Sequence, residues 1–172
     1  MNVMALKTLI VMGVAGSGKS LIGEMLAERL GGLFEDGDDF HPAANKSKMT
    51  AKIALTDEDR WPWLEAMRAR IEEVRGASSG VYVLACSALK EGYREVLRGK
   101  DEDAVLKVVY LKGSKELIGS RMAARKGHFM PTTLLDSQFA TLEEPVNALV
   151  VEVSGTPEEI VDVIMENLKF EI

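Results

Sequence analysis

Apolar and polar positions alternate along the chain in two kinds of segment. Short runs of large or β-branched apolar residues are typical of strands that are buried on both faces of a parallel sheet. The longer segments between them have the spacing of helices. We therefore predict an α/β fold in which helices cover both faces of a parallel sheet and form three layers with it. The predicted strands are Thr8–Met12, Leu33–Glu35, Val81–Ala85, Val105–Leu111 and Leu149–Val153.

The predicted helices carry recognisable end signals. Gly31 and Gly32 follow the first helix, as glycine commonly does past a helix C-terminus. An acidic first turn opens the helix after Thr56, and Pro157 suits the first turn of the last helix. The predicted helices are Leu21–Leu30, Thr56–Arg75, Ala88–Leu97 and three more that begin at Ser114, Pro131 and Thr156.

The composition is that of an ordinary globular protein. The chain has 172 residues, of which 47% are apolar and 28% charged, and we expect a single domain over residues 1–172. The net charge of −6 gives no electrostatic footprint for nucleic acid or an anionic membrane. The first apolar run is too short to span a bilayer, and Cys86, the only cysteine, cannot form an intramolecular disulfide. We therefore expect a cytoplasmic protein that binds neither nucleic acid nor membrane.

The segment Gly13–Ser20 reads GVAGSGKS and fits the phosphate-loop pattern G-x-x-x-x-G-K-[ST]. It lies between a predicted strand and a predicted helix, where such a loop belongs. Its backbone N–H groups can face phosphate oxygens, Lys19 can reach the β- and γ-phosphates, and the Ser20 hydroxyl can bind Mg²⁺. The expected nucleotide-binding residues here are Gly13, Val14, Ala15, Gly16, Ser17, Gly18, Lys19 and Ser20.

Phosphate loops occur in kinases, in nucleotide-dependent switches and in motor or transporter ATPases. A switch usually selects guanine with N-K-x-D, but the nearest match, Asn45–Lys48, ends in lysine and lies early in the chain. A motor or transporter ATPase normally has a carboxylate at the end of an apolar strand, whereas Cys86 and Ser87 follow the third predicted strand. These differences favour a kinase, and a switch or binding module is the alternative from another class.

Two carboxylates, Asp36 and Asp38, follow the second predicted strand. Residues i and i+2 of an extended segment face the same way, and ligands gather at the carboxyl ends of parallel strands. One carboxylate could hold Mg²⁺ while the other accepts the proton of an attacking hydroxyl. Asp39 should point away, and His41 could donate to substrate oxygens. The alternative is a solvated acidic turn.

Further motifs accompany the phosphate loop in a fixed order. They are Asp36–Asp38 with His41-Pro42, Asn45-x-x-Lys48-Met49, Leu55–Leu64, Cys86–Lys90 with Tyr93-Arg94, Tyr110–Gly113, Arg121 with Arg125–Phe129, and Gln138–Pro145. Together they strongly resemble the gluconate kinases (gluconokinases) of the phosphate-loop small-molecule kinase superfamily. The resemblance covers about residues 8 to 153. Within it, the Cys86–Lys90 and Arg125–Phe129 runs separate this family from its shikimate kinase relatives.

The resemblance implies a fold, a reaction and partners. The implied sheet has five parallel strands in the order 2-3-1-4-5, with a mobile lid at about residues 121–131. The implied reaction is the phosphorylation of D-gluconate by ATP, with Mg²⁺, to give 6-phospho-D-gluconate. A homodimer is also implied. A kinase of another small hydroxy acid, such as a shikimate-like one, is the alternative within enzymes.

Gluconate carries a carboxylate at one end and the reacting hydroxyl at the other. Its site therefore needs cations at one end and a base at the other. We assign Asp38 as the base and Asp36, with Ser20, to the metal, while Lys19 takes part in catalysis. Arginine is well suited to the carboxylate because its planar fork bonds bidentately. The candidate substrate-binding residues are Asp38, His41, Lys48, Arg60, Ser87, Lys90, Tyr93, Arg94 and His128.

Two cationic pairs have helical spacing. Lys90 and Arg94 would share one helix face if the helix predicted from Ala88 is formed there, or they are simply solvated cations. Arg121 and Arg125 lie in the expected lid and are assigned to the nucleotide. Arg125 is expected to neutralise charge on the transferring phosphoryl group, and the alternative is a solvated basic turn.

Overall fold

The computed structural model describes residues 6–77, 80–124 and 132–170. It contains a single parallel sheet in which the strands are hydrogen-bonded in the order β2-β3-β1-β4-β5. The predicted α/β class and the strand order implied by the resemblance are confirmed. The strands are β1 (Thr8–Met12), β2 (Leu33–Asp36), β3 (Tyr82–Ala85), β4 (Leu106–Lys112) and β5 (Leu149–Glu152).

Helices lie on both faces of the sheet. A short 3-10 helix (Gly37–Phe40) follows β2 directly. Reciprocal hydrogen bonds close the N-terminal turns of two long helices, between Thr56 and Asp59 and between Thr156 and Glu159. The α-helices are α1 (Lys19–Leu30), α2 (Ala43–Thr50), α3 (Asp57–Ala77), α4 (Glu91–Arg98), α5 (Lys115–Ala124), α6 (Thr132–Thr141) and α7 (Pro157–Phe170).

The core divides into two main apolar clusters because successive strand residues face opposite sides of the sheet. Ile10 and Met12 of β1 pack with α3 and α4, whereas Leu9 and Val11 pack with α1 and α7. All five residues of β1 are buried, which fits a central strand with a neighbour on each side. This arrangement is the predicted three-layer architecture. It brings the carboxyl ends of β1, β2 and β3 together at one edge of the sheet.

Two local predictions need correction. The helix predicted from Ala88 begins only at Glu91, because Ala88 has a left-handed backbone (φ +46°) and Lys90 is extended. Lys90 and Arg94 therefore do not share a helix face. The sequence analysis also missed α2, which has no apolar stripe to reveal it: of its residues only Asn45 is buried.

The predicted lid at about residues 121–131 falls largely outside the described residues. Arg121 lies in the last turn of α5, and α6 begins at Thr132, next to the predicted Pro131. Arg125 and His128 belong to the part that is not described. Within residues 6–77, 80–124 and 132–170, no helix is both long and apolar enough to cross a membrane.

Candidate active site

The phosphate loop joins the central strand to α1. Gly16 and Gly18 have left-handed backbones, with φ of +81° and +97°, and α1 begins at Lys19 immediately after them. A Cβ added at Gly16 would lie 2.6 Å from the side chain of Met122, so the loop packs directly on α5. The loop therefore presents the free N–H groups of a helix N-terminus at the edge of the sheet, where an anion is favoured.

The Lys19 ammonium lies over this loop. Its Nζ donates to the carbonyl oxygen of Val14 at 3.1 Å, and the same oxygen accepts from the backbone N–H of Ser17 at 3.2 Å. Burial lowers the pKa of Lys19, and the nearby Asp38, Cys86 and Asp36 act in the opposite direction. An incompletely solvated ammonium in this position is suited to attract the phosphates of a nucleotide.

Ser20 and Asp36 are paired across the end of β2. The Ser20 hydroxyl donates to Asp36 Oδ2 at 2.7 Å, while Asp36 Oδ1 accepts from the backbone N–H of Asp38 at 2.9 Å. A hydroxyl and a carboxylate are the hard oxygen ligands that Mg²⁺ prefers. Among the described residues, no group of three or more acidic, histidine or cysteine side chains is arranged to hold a metal ion.

Asp38 lies one residue into the 3-10 helix and is exposed. Loss of hydration raises the pKa of its carboxyl, the negative charges of Asp36 and Asp39 add to this, and Lys19 opposes it. A carboxylate with a raised pKa is a stronger base than an ordinary aspartate. The sequence analysis expected Asp36 and Asp38 at one site, and the structure brings both next to Lys19.

The side chain of His41 lies beside these carboxylates, is held in place by its neighbours and is neutral. Its ring stacks on Trp63 with centroids 4.2 Å apart, and Asn45 Nδ2 lies 3.2 Å from its Nδ1. Burial, together with the positive charges of Arg60 and Lys46, lowers the pKa of His41 to about 4. If Nδ1 accepts from Asn45, the ring proton sits on Nε2, which is then a hydrogen-bond donor. Asn45 also donates to the carbonyl of Asp59, and it had been given no role from the sequence.

Asp57, at the start of α3, is contacted by three residues that were predicted to bind substrate: Arg60, Lys90 and Tyr93. Tyr93 donates its hydroxyl proton to Asp57, and Lys90 Nζ is 3.3 Å from Asp57 Oδ2. Arg60 donates to the Tyr93 hydroxyl oxygen at 3.2 Å. Both cations also lie over the Tyr93 ring, at 5.6 and 5.7 Å from its centroid. Two predicted cations and a predicted tyrosine thus form one cluster, with a carboxylate that the sequence analysis did not assign.

Lys48 and Ser87 are two further residues predicted to bind substrate. Lys48 of α2 is paired with Asp59 at 2.7 Å, and this pair holds the pKa of Asp59 near 2. Ser87 is half-buried in the loop between β3 and α4. Its neighbour Cys86 is buried, and burial raises the pKa of the Cys86 thiol to about 12. Cys86 is thus a small buried residue.

Arg94 differs from the other predicted site cations because its side chain is buried. Its guanidinium donates to the carbonyl oxygens of Ala88 at 2.6 Å and Glu143 at 2.7 Å, and to the carboxylate of Glu91. The side chain is only 5% exposed, and its Nη1 and Nη2 groups donate to other protein groups. In this structure Arg94 fixes the loop that carries Ser87 and Lys90.

A cavity also lies beside the phosphate loop. It has a volume of about 300 Å³ and lies between the loop, α1, α5 and the start of α7. Arg121 Nη2 lies 3.4 Å from the carbonyl oxygen of Gly155 at its rim. The sequence analysis assigned Arg121 to the nucleotide and missed the β5–α7 residues opposite it. The cavity is lined by Gly16, Gly18, Leu21, Ile22, Arg121, Met122, Gly155, Pro157 and Ile160.

The sheet order, the phosphate loop after the central strand and the carboxylates after β2 define a P-loop kinase of small molecules. The family model described as "Shikimate kinase" matches residues 15–169. A shikimate kinase from Aquifex aeolicus shares the fold, with a TM-score of 0.56 and 14% identity over 95% of this chain and 97% of that one.

Closer relatives define the family. A probable gluconokinase of Mus musculus is 44% identical over 94% of this chain and 97% of its own length. A gluconokinase of Gluconobacter oxydans is 46% identical over 93% of this chain and 88% of its own. A gluconokinase structure from Sinorhizobium meliloti has a TM-score of 0.82 at 43% identity, covering 96% of this chain and 97% of that one. The chain belongs to the gluconokinase family.

Proposed function

We propose that this protein transfers the γ-phosphoryl group of ATP to the terminal hydroxyl of D-gluconate and forms 6-phospho-D-gluconate. The observation that carries the proposal is the placement of the base candidate, Asp38, beside the phosphate-loop lysine, Lys19, in a chain whose relatives are named gluconokinases. We further propose a single kinase domain over residues 1–172, a homodimer and a cytoplasmic location.

The nucleotide is proposed to bind with its phosphates on Gly13–Ser20 and its base in the cavity beside Arg121. The lining of that cavity is largely apolar apart from Arg121, which suits a purine ring. Lys19 would contact the β- and γ-phosphates, as expected from the loop. From the sequence alone we retain Arg125 as the residue that neutralises charge on the transferring group.

Ser20 and Asp36 are the proposed protein ligands of Mg²⁺. In the structure the Ser20 proton points to Asp36, so the hydroxyl oxygen can still offer a lone pair to a cation. When bound, Mg²⁺ neutralises phosphate charge during transfer. Asp36 also fixes the backbone of Asp38, so the metal ligand and the base are held by the same turn.

Asp38 is proposed to accept the proton of the terminal hydroxyl as that oxygen attacks the γ-phosphorus. The raised pKa of Asp38 brings its basicity closer to that needed at neutral pH. His41 is kept neutral by its low pKa and can donate from Nε2 to a substrate oxygen without adding charge. These two groups would hold the reacting end and the middle of the polyol.

The carboxylate of gluconate is proposed to bind at the Arg60–Lys90–Tyr93 cluster, with Lys48 and Ser87 beside it. Asp57 now occupies the donors of this cluster. A substrate carboxylate would compete with Asp57 for them, which gives the cluster selectivity for an anionic end group. We propose that Arg94 acts indirectly by supporting this loop, and His128 remains a substrate-binding candidate from the sequence.

The direct test is a coupled assay of ADP release with a panel of acceptors. We expect turnover with ATP, Mg²⁺ and D-gluconate well above the ATP-only blank, and loss of turnover when the metal is chelated. Other sugar acids, neutral polyols, shikimate and nucleoside monophosphates serve as comparison acceptors. Turnover with gluconate no higher than the blank would refute the proposal, and selective turnover with shikimate would favour the alternative kinase.

A further inference from the structure

One peptide group of the phosphate loop, that between Val14 and Ala15, is held from both sides. Its carbonyl oxygen accepts from Lys19 Nζ at 3.1 Å and from Ser17 N at 3.2 Å. Its N–H donates to Gln138 Oε1 at 2.6 Å. A peptide group is planar, so the direction of its N–H fixes that of its carbonyl. The orientation of the oxygen that holds Lys19 is thereby tied to Gln138.

Gln138 reaches the loop from a distant part of the chain. It lies on α6, 123 residues beyond Ala15 in sequence, and is half-buried. An apolar cluster that contains Val14, Ile118, Met122 and Leu135 joins α6 and α5 to the loop. The glutamine side chain thus lies on a helix that is itself packed against the loop. This packing holds the side-chain oxygen next to the backbone N–H of Ala15.

The residue type at position 138 fits this contact. The backbone N–H of Ala15 needs an acceptor, and a side-chain amide supplies one without a charge. A carboxylate in the same place would put a negative charge beside a loop that has to attract phosphates. An alkyl side chain would leave the N–H with no partner in a partly buried position.

We propose that Gln138 is a positioning residue for Lys19, acting through the Val14–Ala15 peptide group. By accepting from the N–H, Gln138 fixes the carbonyl and polarises it, which makes it a stronger acceptor for the lysine. Lys19 Nζ is then held over the loop with two of its three donors free for phosphate oxygens. The inference rests on the proposed use of ATP, but it does not depend on the identity of the acceptor.

A double-mutant cycle tests the route through Lys19. The affinity of a non-hydrolysable ATP analogue is measured by titration calorimetry for the wild type, Gln138→Met, Lys19→Met and the double variant. Methionine keeps the length of the side chain and removes the strong acceptor. We expect Gln138→Met to weaken binding about tenfold in the wild type and by less than about twofold when Lys19 is absent. The exposed neighbour Ser137→Ala is the matched control and should bind like the wild type.

Equal weakening in both backgrounds, or none in either, would overturn the proposal. A second variant covers the case in which Gln138→Met does not fold. Gln138→Glu keeps an oxygen acceptor, so kcat should stay within about threefold of the wild type while its charge raises the KM for ATP. A large loss of kcat in Gln138→Glu would contradict the proposed role. Because analogue binding needs no acceptor, failure of gluconate as the substrate would not affect this result.

Discussion

At the scale of single residues, the environment gives two neighbouring aspartates different properties. Asp36 is engaged on both oxygens, by the Ser20 hydroxyl and the Asp38 backbone. The pKa of Asp38, by contrast, is raised by loss of hydration and by the negative charges of Asp36 and Asp39. From the sequence, both carboxylates were placed at the end of β2 and Asp38 was assigned as the base. The raised pKa of Asp38 supports that proposal.

Replacing Asp38 by Asn should lower kcat by about 10²- to 10⁴-fold, because the amide cannot accept the hydroxyl proton. The affinity for an ATP analogue should change little, since the phosphate loop is untouched. Steady-state kinetics and calorimetric titration measure the two effects separately. The exposed neighbour Asp39→Asn is the matched control and should retain wild-type turnover. If the two variants behave alike, the base lies elsewhere.

The same substitution should change stability in a pH-dependent way. The pKa of Asp38 is higher in the folded protein than in the unfolded chain, so its ionised form opposes folding above that folded pKa. Asp38→Asn should therefore raise Tm at neutral pH in the free protein. The difference should shrink as the pH falls and vanish below about pH 3.8, where the carboxyl is protonated in both states. A Tm difference that is constant with pH would contradict this interpretation.

Replacing Lys90 by Met should raise the KM for gluconate about tenfold or more. The variant loses a cation and also leaves Asp57 less neutralised, so the remaining charge repels an anionic end group. The KM for ATP should stay within about twofold. Lys100→Met, on the exposed loop after α4, is the control for loss of a positive charge. A rise in the KM for ATP alone would place Lys90 at the nucleotide instead.

At the scale of elements, the loop from β3 to α4 is held by α4 and by the segment after α6. Glu143 accepts from the backbone N–H of Glu91 through its carboxylate and donates its own N–H to Leu89. Its carbonyl accepts from Arg94. Direct hydrogen bonds therefore link the loop before α4, the start of α4 and the chain after α6. Ser87 and Lys90, which are proposed to bind gluconate, lie on the loop that these contacts hold.

Replacing Arg94 should lower the free energy of unfolding substantially. Arg94→Met leaves the carbonyls of Ala88 and Glu143 without their buried donor, and we expect a loss of about 3 kcal/mol in the free energy of unfolding in urea. Arg29→Met breaks an ion pair whose two side chains are well exposed, and it should cost less than about 1 kcal/mol. A loss for Arg94→Met no greater than for Arg29→Met would show that these buried bonds contribute little.

Strands and helices with a distinctive pattern of apolar residues were predicted well from the sequence. Those without such a pattern were not. The strands agree with their predicted positions to within one or two residues, because continuous apolar runs are distinctive. The short α2 has no such run. The loop before α4 was taken for a helix because alanine, leucine and lysine all favour helices, and only the left-handed Ala88 shows otherwise.

At the scale of the whole molecule, the site combines local motifs with contacts between distant segments. The phosphate loop and the Asp36–Asp38 turn were recognisable because each lies within a few residues of sequence. Arg94 looked like a site cation because burial cannot be read from a charged residue type. Gln138 and Asn45 belong to the quoted motifs but were given no role for a related reason: their importance depends on partners far along the chain, Ala15 and Asp59.

The central strand, β1, also determines which part of the site persists when the protein partly unfolds. The residues of β1 are almost completely inaccessible, and each is flanked by β3 or β4 and covered by helices on both faces. Amide hydrogens in such a strand exchange with solvent only when the whole domain unfolds. The phosphate loop begins at the end of this strand, whereas the gluconate cluster lies on loops and helix ends. On partial unfolding, acceptor binding should therefore be lost before the nucleotide site is.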